Sequence, residues 1–211
     1  MKKILLLIII LILLLIPKVN ASTSSASSYI LMDETTGRVL LSKDMNSKRL
    51  IASITKIMTS IIAIESGKVE DTVTIDDSIL KAYGSGIYIE VGEEIKLKDL
   101  LYGLMLRSGN DAALAIANYI AGSEENFVNL MNAKAKELGM KNTLFYNASG
   151  LPTPHGNYSS CYDMALLTRY VMKNKLYREI VSTKEYKVTT NYKTYIWNNK
   201  NKLLRYNYIT G

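Results

Sequence analysis

The sequence predicts an α+β fold, with antiparallel hairpins near both ends of the chain and helices between them. Two apolar-rich stretches flank a turn over 29–44, and apolar and polar residues alternate around a turn over 186–198, which together indicate two hairpins. Between these stretches, apolar residues recur every three or four positions, the spacing of helices. The chain has 211 residues, of which 48% are hydrophobic and 21% charged, so it can bury the core of one moderate domain.

The first 21 residues have the pattern of an export signal. Lys2 and Lys3 precede an unbroken apolar run over 4–16, and small residues lead to Ala21, after which we expect cleavage. The alternative is an uncleaved membrane anchor, but this run is shorter than the roughly 20 residues that span a bilayer. We therefore expect a secreted protein that has no stable membrane anchor after cleavage.

The expected layout is a signal peptide at 1–21, a flexible leader at 22–28 and a single domain at 29–211. The formal charge is +7, but there is no run of five or six like charges and no basic stripe with aromatic residues, so nucleic acid is not an expected partner. Cys161 is the single cysteine and His155 the single histidine. Both are interpreted as structural, although either could be reactive, and we expect no metal and no cofactor.

The first elements are a hairpin and a core helix. Gly37 supplies the turn of the hairpin over 29–44. From Ser53 to Ile64 the apolar residues have helical spacing, and Gly67 is placed to end the helix. The apolar positions of this predicted core helix are Ile54, Ile57, Met58, Ile61 and Ile62.

The middle of the chain is predicted to contain short strands and then helices. Residues 72–98 contain three β-rich pieces, "TVTID", "GIYIEV" and "EIKLK". Asp99 is the expected N-cap of the helix "LLYGLMLR", and a loop follows at "SGN". The next helices are "DAALAIANYIAG" and "SEENFVNLMNAKAKELG", the second capped by Ser123. A last helix, "SSCYDMALLTRYVMKNK", is expected to be capped by Ser159 or Ser160, after which the chain returns to strand.

Ser53 and Lys56 are candidates for nucleophilic catalysis. Residues three apart on a helix lie roughly 5 to 6 Å apart at Cβ, so the lysine amine can reach the serine hydroxyl. Burial can lower the lysine pKa from about 10.4 and supply a neutral base. A serine at the helix start could also direct its N–H at an oxyanion.

A second polar pair supports this interpretation, because the SxxK spacing alone is weak and could be a solvated pair. Ser108 and Asn110 form an SxN triplet in the predicted loop between two helices. Ser108 could relay a proton between the lysine and a leaving group, and the Asn110 amide could hold a substrate peptide. The alternative is that both residues are helix caps.

Three stretches resemble successive blocks of the serine D-alanyl-D-alanine carboxypeptidases, the low-molecular-mass penicillin-binding proteins. They are "YILMDETTGRVLLSKDMNSKRLIASITKIMT", "LMLRSGNDAALAIA" and "TLFYNASGLPTPHGNYSSCYDMALLTRYV". The resemblance implies a β-lactamase/transpeptidase-like fold, with an antiparallel sheet flanked by helices beside a mostly helical region. It also implies that Ser53 is the acylated nucleophile, Lys56 the general base, Ser108 its partner and Asn110 a substrate-binding residue.

The third motif of this family, Lys-Thr-Gly, has no full counterpart. The sequence has Ile209, Thr210 and Gly211 instead, without the lysine, which is either a shortened relic or a coincidence. As a relic, Thr210 and Gly211 are expected substrate-binding positions. We interpret the chain as C-terminally truncated, with the last strands of the sheet missing and its activity weakened.

The resemblance implies a function and leaves two alternatives. The expected substrate is the peptidoglycan pentapeptide stem ending in D-Ala-D-Ala, with β-lactams as covalent inhibitors. One alternative is a non-catalytic remnant that binds wall peptides without turnover. The other is a penicillin-hydrolysing enzyme, which the absence of a clear ExxLN motif disfavours.

Overall fold

The structure of the protein is a computed structural model that describes residues 24–152 and 155–206. It has the predicted α+β architecture. Its six helices in the described residues are α1 (Lys56–Glu65), α2 (Leu97–Arg107), α3 (Asn110–Ala121), α4 (Glu124–Glu137), α5 (Cys161–Val171) and α6 (Lys175–Ser182). The strands there are β1 (Tyr29–Met32), β2 (Val39–Lys43), β3 (Arg49–Leu50), β4 (Thr72–Thr74), β5 (Glu94–Lys96), β6 (Tyr158–Ser159), β7 (Glu185–Thr189) and β8 (Thr194–Asn198). The predicted signal peptide lies outside the described residues.

Helix α1 is the centre of the core. It packs against each of α2 to α6, and its Met58 and Ile61 are buried completely or almost so. Gly67 follows the helix with a φ of +74°, the left-handed conformation that often ends a helix. The central helix is therefore confirmed where the apolar spacing predicted it. Within the described part of the chain, no helix is both long enough and apolar enough to cross a bilayer.

In the described residues the strands form four two-stranded antiparallel sheets: β1 with β2, β3 with β6, β4 with β5, and β7 with β8. The first and last couples are the two predicted hairpins, and the turn between β1 and β2 includes Gly37 at a φ of +75°. The β1–β2 pair exposes large apolar side chains, namely Leu31, Leu40 and Leu41. An apolar groove of about 600 Å³ lies between β1 and helices α1 and α5, and Ile54 lines it. Ile54, predicted to be in the core, is consequently 48% exposed.

Two predictions for the stretch before and at the start of α2 were wrong. "GIYIEV" forms no strand, because the Asp111 carboxylate accepts the backbone N–H groups of Ile87 and Tyr88, which are then not available to a neighbouring strand. Helix α2 begins at Leu97, with Lys96 as N-cap. Asp99 therefore lies inside the first turn, where its carboxylate accepts a hydrogen bond of 2.5 Å from the Tyr186 hydroxyl.

The last predicted helix, over 159–175, corresponds to α5, and the helix that follows it, α6, was not predicted. Helix α5 is capped by the Ser160 side chain, which accepts from the Asp163 N–H, and it ends at Val171. Asn174 then caps α6 by accepting from the Tyr177 N–H. Helix α6 lies where the sequence predicted that the chain returns to strand, so that prediction was wrong. The Ser123 cap of α4 is confirmed by its bond from the Asn126 N–H.

A buried carboxylate joins the β7–β8 hairpin to the rest of the protein. Glu93 is fully buried, and its oxygens accept hydrogen bonds from the Tyr195 hydroxyl at 2.9 Å and the Thr190 hydroxyl at 2.6 Å. It also accepts the Glu90 N–H at 2.9 Å. Three donors around one buried carboxylate fix the position of the hairpin, since an unsatisfied buried acceptor is costly.

Glu93→Gln is expected to lower the free energy of unfolding by about 1–3 kcal/mol. The amide keeps one oxygen acceptor, but its NH₂ group takes the place of an oxygen that accepted a hydrogen bond. Urea unfolding followed by circular dichroism measures the change. Glu94→Gln is the matched control, since Glu94 is exposed, and should change stability by less than about 0.5 kcal/mol. Equal effects of the two substitutions would contradict the assigned role of Glu93.

Candidate active site

Ser53 and Lys56 lie where a short 3-10 turn leads into the central helix. The turn spans Ala52–Thr55, and α1 begins at Lys56 without a break. Ser53 is exposed, whereas Lys56 is only 2% exposed. The local geometry therefore presents the hydroxyl to solvent and places the amine in the protein interior.

The Lys56 amine contacts three oxygen atoms. Its Nζ lies 2.7 Å from Asn110 Oδ1, 2.6 Å from the Ser149 carbonyl oxygen and 3.3 Å from Ser53 Oγ. The two short contacts are to oxygens that can only accept, while the longer one is to a hydroxyl that can also donate. A neutral amine has two N–H groups and one lone pair. Neutral Lys56 can therefore donate one N–H to each of the two carbonyl oxygens and accept the proton of the Ser53 hydroxyl with its lone pair.

The environment lowers the pKa of the Lys56 ammonium to about 8. Burial is the main cause, because it disfavours the charged form. The positive charge of Lys200 acts in the same direction, and the Asp111 carboxylate opposes both. At pH 7, roughly a tenth of such a group is neutral, far more than at the usual pKa of about 10.4.

The SxN triplet lies at the junction of α2 and α3. Ser108 ends α2 with a φ of +61°, a left-handed conformation that is uncommon outside glycine. Asn110 begins α3, and its backbone N–H donates to the Ser85 carbonyl at 2.8 Å. Its side-chain Nδ2 donates to the Tyr83 carbonyl at 2.6 Å. Because Nδ2 carries two hydrogens and Tyr83 is its acceptor among the described residues, the second hydrogen is available to another acceptor.

A buried polar network holds the loop that carries the Ser149 carbonyl. Asn157 Nδ2 donates to Thr55 Oγ1 and to the Asn147 carbonyl, both at 2.9 Å. Asn147 Oδ1 in turn accepts the Gly150 N–H at 2.6 Å. This network links the 3-10 turn of the serine to the loop that contacts the lysine.

Gly150 permits the close approach of this loop to the serine. Its φ is +80°, and a Cβ built on it would lie 1.9 Å from the Ala52 carbonyl oxygen and 3.0 Å from the Ser53 nitrogen. Ala52 itself has a φ of +43°. Two uncommon backbone conformations thus occur at the site. One is at Ala52, next to the candidate nucleophile, and the other is at Ser108, its candidate partner. Strained backbone at such places is often functional.

A cavity of about 440 Å³ borders Ser53, Lys56 and Ser108 together. The rest of its lining is mostly apolar and comes from α1, α2, α5 and α6, with Ile54, Ile57, Leu104, Met105, Thr168, Met172, Tyr177 and Val181. These walls account for the desolvation of the lysine.

The structure joins three of the predicted site residues, Ser53, Lys56 and Asn110, by hydrogen bonds. Ser108 borders the same cavity. Its hydroxyl has no hydrogen-bond partner among the described residues. Thr210 and Gly211 lie outside the described residues. His155, interpreted as structural, has its ring 5.3 Å from that of Tyr146. The described residues contain no cluster of three or more histidine, cysteine, aspartate or glutamate side chains.

Three features of the site were missed by sequence reasoning. The Ser149 carbonyl carries no side-chain signal, because any residue has one. Lys200 is one of several lysines in its stretch, and only the fold brings it close to Lys56. Gly150 had a weak signal, as a glycine in the quoted block "YNASGLP", but nothing in the sequence indicated that it faces Ala52.

The site sets an exposed serine beside a buried lysine in an α+β fold, which are the groups that a serine nucleophile and its base require. The family model of the D-alanyl-D-alanine carboxypeptidases, Peptidase S11, matches residues 17–211. The chain belongs to this family. The D-alanyl-D-alanine carboxypeptidase DacF of Bacillus subtilis is 41% identical over 187 residues, which are 86% of this chain and 48% of that protein. The chain thus spans about half the length of this relative.

Solved structures share the fold, which is that of the penicillin-binding and transpeptidase proteins. Penicillin binding protein 6B from Escherichia coli aligns with a TM-score of 0.78 and 34% identity, over 88% of this chain and 61% of that one. A mutant of the Streptomyces K15 DD-transpeptidase aligns with a TM-score of 0.82 and 32% identity, over 87% of this chain and 77% of that one. The predicted fold class is therefore confirmed.

Proposed function

We propose that the protein is a serine-type D-Ala-D-Ala carboxypeptidase that trims the pentapeptide stem of peptidoglycan through an acyl-enzyme on Ser53. The observation that carries the proposal is the Lys56 amine, held at 2.7 and 2.6 Å by two carbonyl-type oxygens with Ser53 Oγ as its third neighbour. Membership of the carboxypeptidase family supports the choice of substrate.

The acylation step uses neutral Lys56 as general base. Ser53 Oγ attacks the carbonyl carbon of the penultimate D-alanine while its proton moves to Lys56 Nζ. The Ser53 N–H, at the positive end of the turn that leads into α1, stabilises the oxyanion. When the C–N bond breaks, Ser108 passes the proton from Lys56 to the amine of the departing D-alanine. The free hydrogen of Asn110 Nδ2 is available to a carbonyl oxygen of the peptide.

The acyl-enzyme is then hydrolysed by the same groups. Lys56 removes a proton from a water molecule, the oxygen of which attacks the ester carbon of the acyl group on Ser53. The C–O bond to Ser53 breaks, and the proton returns to Oγ, which releases the shortened peptide. A penicillin enters the same sequence when Ser53 opens its β-lactam ring. It remains attached because the leaving amine stays tethered to the acyl group.

We also propose that the protein is exported and works outside the cytoplasm. The N-terminal pattern of Lys2, Lys3 and the apolar run to Ala21 supports a signal peptide. In the part of the chain that the structure describes, the first strand starts at Tyr29, which agrees with a domain that starts after a leader. Cleavage after Ala21 leaves the domain at 29–211 without the apolar run, in a compartment where peptidoglycan is the substrate.

The proposal is tested by incubating the purified protein with a labelled penicillin and locating the adduct by mass spectrometry. We expect one adduct per chain on the peptide that contains Ser53, and release of D-alanine from a peptide ending in D-Ala-D-Ala. Ser53→Ala removes both signals. If the wild-type protein binds the peptide but gains no adduct, the protein is a peptide-binding remnant and the catalytic proposal is wrong.

A further inference from the structure

The surface next to the turn between β7 and β8 carries two exposed tyrosines that the catalytic scheme does not use. We name it the tyrosine patch and define it by Tyr88, Glu90, Val91, Tyr192 and Lys193. Tyr88 is 73% exposed and Tyr192 is 50% exposed. The Glu90 carboxylate pairs with Lys193 Nζ at 2.5 Å, and both side chains remain accessible to solvent. The patch thus combines apolar rings with charged hydrogen-bonding groups.

Hydrogen bonds hold the two tyrosines of the patch in place. The Tyr88 N–H donates to the Asp111 carboxylate at 2.6 Å, and the Tyr88 carbonyl accepts from the Tyr195 hydroxyl at 3.2 Å. The Tyr192 hydroxyl donates to the Val91 carbonyl at 3.2 Å, which joins the hairpin turn to the segment that carries Tyr88. Because these positions are already fixed, a ligand that packs on the rings loses little affinity to their ordering.

Tyr88 has a backbone conformation that is unfavourable for a bulky residue. Its φ is +62°, in the left-handed region. The neighbouring Ile87 and Ile89 are buried, so the tyrosine ring faces solvent between them. Among the described residues, the Tyr88 hydroxyl has no hydrogen-bond partner and its ring no aromatic neighbour. Strained residues that stabilise no internal contact with their side chain are frequent at binding sites, so we interpret the ring as a contact for a ligand.

The tyrosine patch lies within reach of a peptide bound at Ser53. Lys56 Nζ contacts both Ser53 Oγ at 3.3 Å and Asn110 Oδ1 at 2.7 Å. The residue after this asparagine, Asp111, accepts the Tyr88 N–H, so only a short series of contacts joins the serine to the patch. In the pentapeptide stem, four residues separate the bond that is cut from the sugar that carries the stem. Four residues of extended chain span at most about 14 Å, so the sugars attached to a bound stem can contact the patch.

We propose that the tyrosine patch binds the glycan strand of peptidoglycan, a polymer of β-1,4-linked, N-acetylated amino sugars. Sugar rings present C–H faces that pack on aromatic rings, and their hydroxyl and acetamido groups can hydrogen-bond to Glu90 and Lys193. The inference rests on the proposed function, in which the stem that is cut is attached to this glycan. The patch would hold the strand while Ser53 reacts with one of its stems.

A second copy of the chain is a less suitable occupant of the tyrosine patch. The centres of protein–protein interfaces are depleted of charged residues, because burial of a charge is costly. Here the pair of Glu90 and Lys193 adjoins both tyrosines through Val91 and the hairpin turn. A glycan strand is narrow and hydrated, so it can cover the rings and leave this ion pair in contact with water.

An NMR titration tests this proposal without any need for turnover. The ¹⁵N-labelled protein is titrated with a neutral tetramer of β-1,4-linked N-acetylglucosamine, which has the sugars of a glycan strand but no peptide. We expect saturable shifts at the amides of 88–92 and 192–193, with a dissociation constant on the order of 1 mM for so small a site. Tyr88→Ala should weaken binding at least about fivefold, and Tyr88→Phe, which keeps the ring, should stay within about twofold. Thermal unfolding checks that each variant is folded.

Leu80→Ala is the matched control, because Leu80 is 74% exposed, as much as Tyr88, but lies on the 3-10 turn Asp77–Lys81, outside the patch. It should leave the affinity for the tetramer unchanged. The proposal is overturned if the tetramer does not bind, if its shifts lie elsewhere, or if Tyr88→Ala and Leu80→Ala bind it equally well. It is also overturned if sedimentation shows that Tyr88→Ala converts a dimer to a monomer, because a second copy then covers the patch. Failure of the catalytic proposal appears separately, as the absence of a penicillin adduct on Ser53 in a protein that still binds the tetramer.

Discussion

Lys56→Met is expected to lower the rate at which a penicillin acylates Ser53 by at least about 10³-fold, near the upper range for loss of a general base. Methionine keeps an unbranched side chain of similar size but has no lone pair that accepts the serine proton. The rate is measured from the growth of the labelled adduct over time. Some loss of stability is also expected, because Asn110 Oδ1 and the Ser149 carbonyl lose their donor.

A matched substitution separates this effect from the loss of a charge in general. Lys134 is also partly buried, and its amine pairs with Glu65 at 3.0 Å and Glu137 at 2.8 Å, on α1 and α4. Lys134→Met should therefore reduce stability and leave the acylation rate within about twofold. An acylation rate near that of the wild type in a folded Lys56→Met protein would remove the lysine from the mechanism.

Gly150→Ala is expected to lower the acylation rate by about 10²-fold or more. The added Cβ would lie 1.9 Å from the Ala52 carbonyl oxygen, so the backbone beside Ser53 or the loop that carries Ser149 must move by more than an ångström. Displacements of about 1 Å in a catalytic group cost about this factor. The measurement is again the growth of the penicillin adduct, together with a thermal unfolding curve.

Gly122→Ala provides the control for the backbone conformation itself. Gly122 has a φ of +75°, close to that of Gly150, but a Cβ there has no atom within 4 Å. It should cost about 1 kcal/mol of stability and leave acylation unchanged. If the two alanine variants acylate at the same rate, the close approach of Gly150 to Ala52 is not needed for catalysis.

The sequence was sufficient for features that depend on local spacing. The central helix could be predicted from its apolar period, and the first hairpin from two apolar-rich stretches on either side of a turn with Gly37. The pair of Ser53 and Lys56 could be predicted because residues three apart on one turn must be neighbours. The structure adds that Ser53 belongs to a 3-10 turn, which changes its exposure but not its distance from the amine.

Features that depend on distant segments could not be predicted. The Ser149 carbonyl is 93 positions from the Lys56 amine that it binds. The backbone N–H groups of Ile87 and Tyr88 are taken by Asp111, more than 20 positions away, which explains why a β-rich stretch forms no strand. Asp99 has the residue type of a cap, yet its partner is the Tyr186 hydroxyl, which only the fold brings near.

The central claim is that Lys56 supplies a largely desolvated amine with a pKa of about 8 to the hydroxyl of Ser53. Because only the neutral amine accepts a proton, the acylation rate should rise with pH below this value and level off above it. The most direct measurement is an NMR titration of the protein with ¹³C-labelled lysine, in which the Lys56 signal is the one missing from Lys56→Met. We predict a midpoint near pH 8 for this signal, and a midpoint above pH 10 would contradict the account.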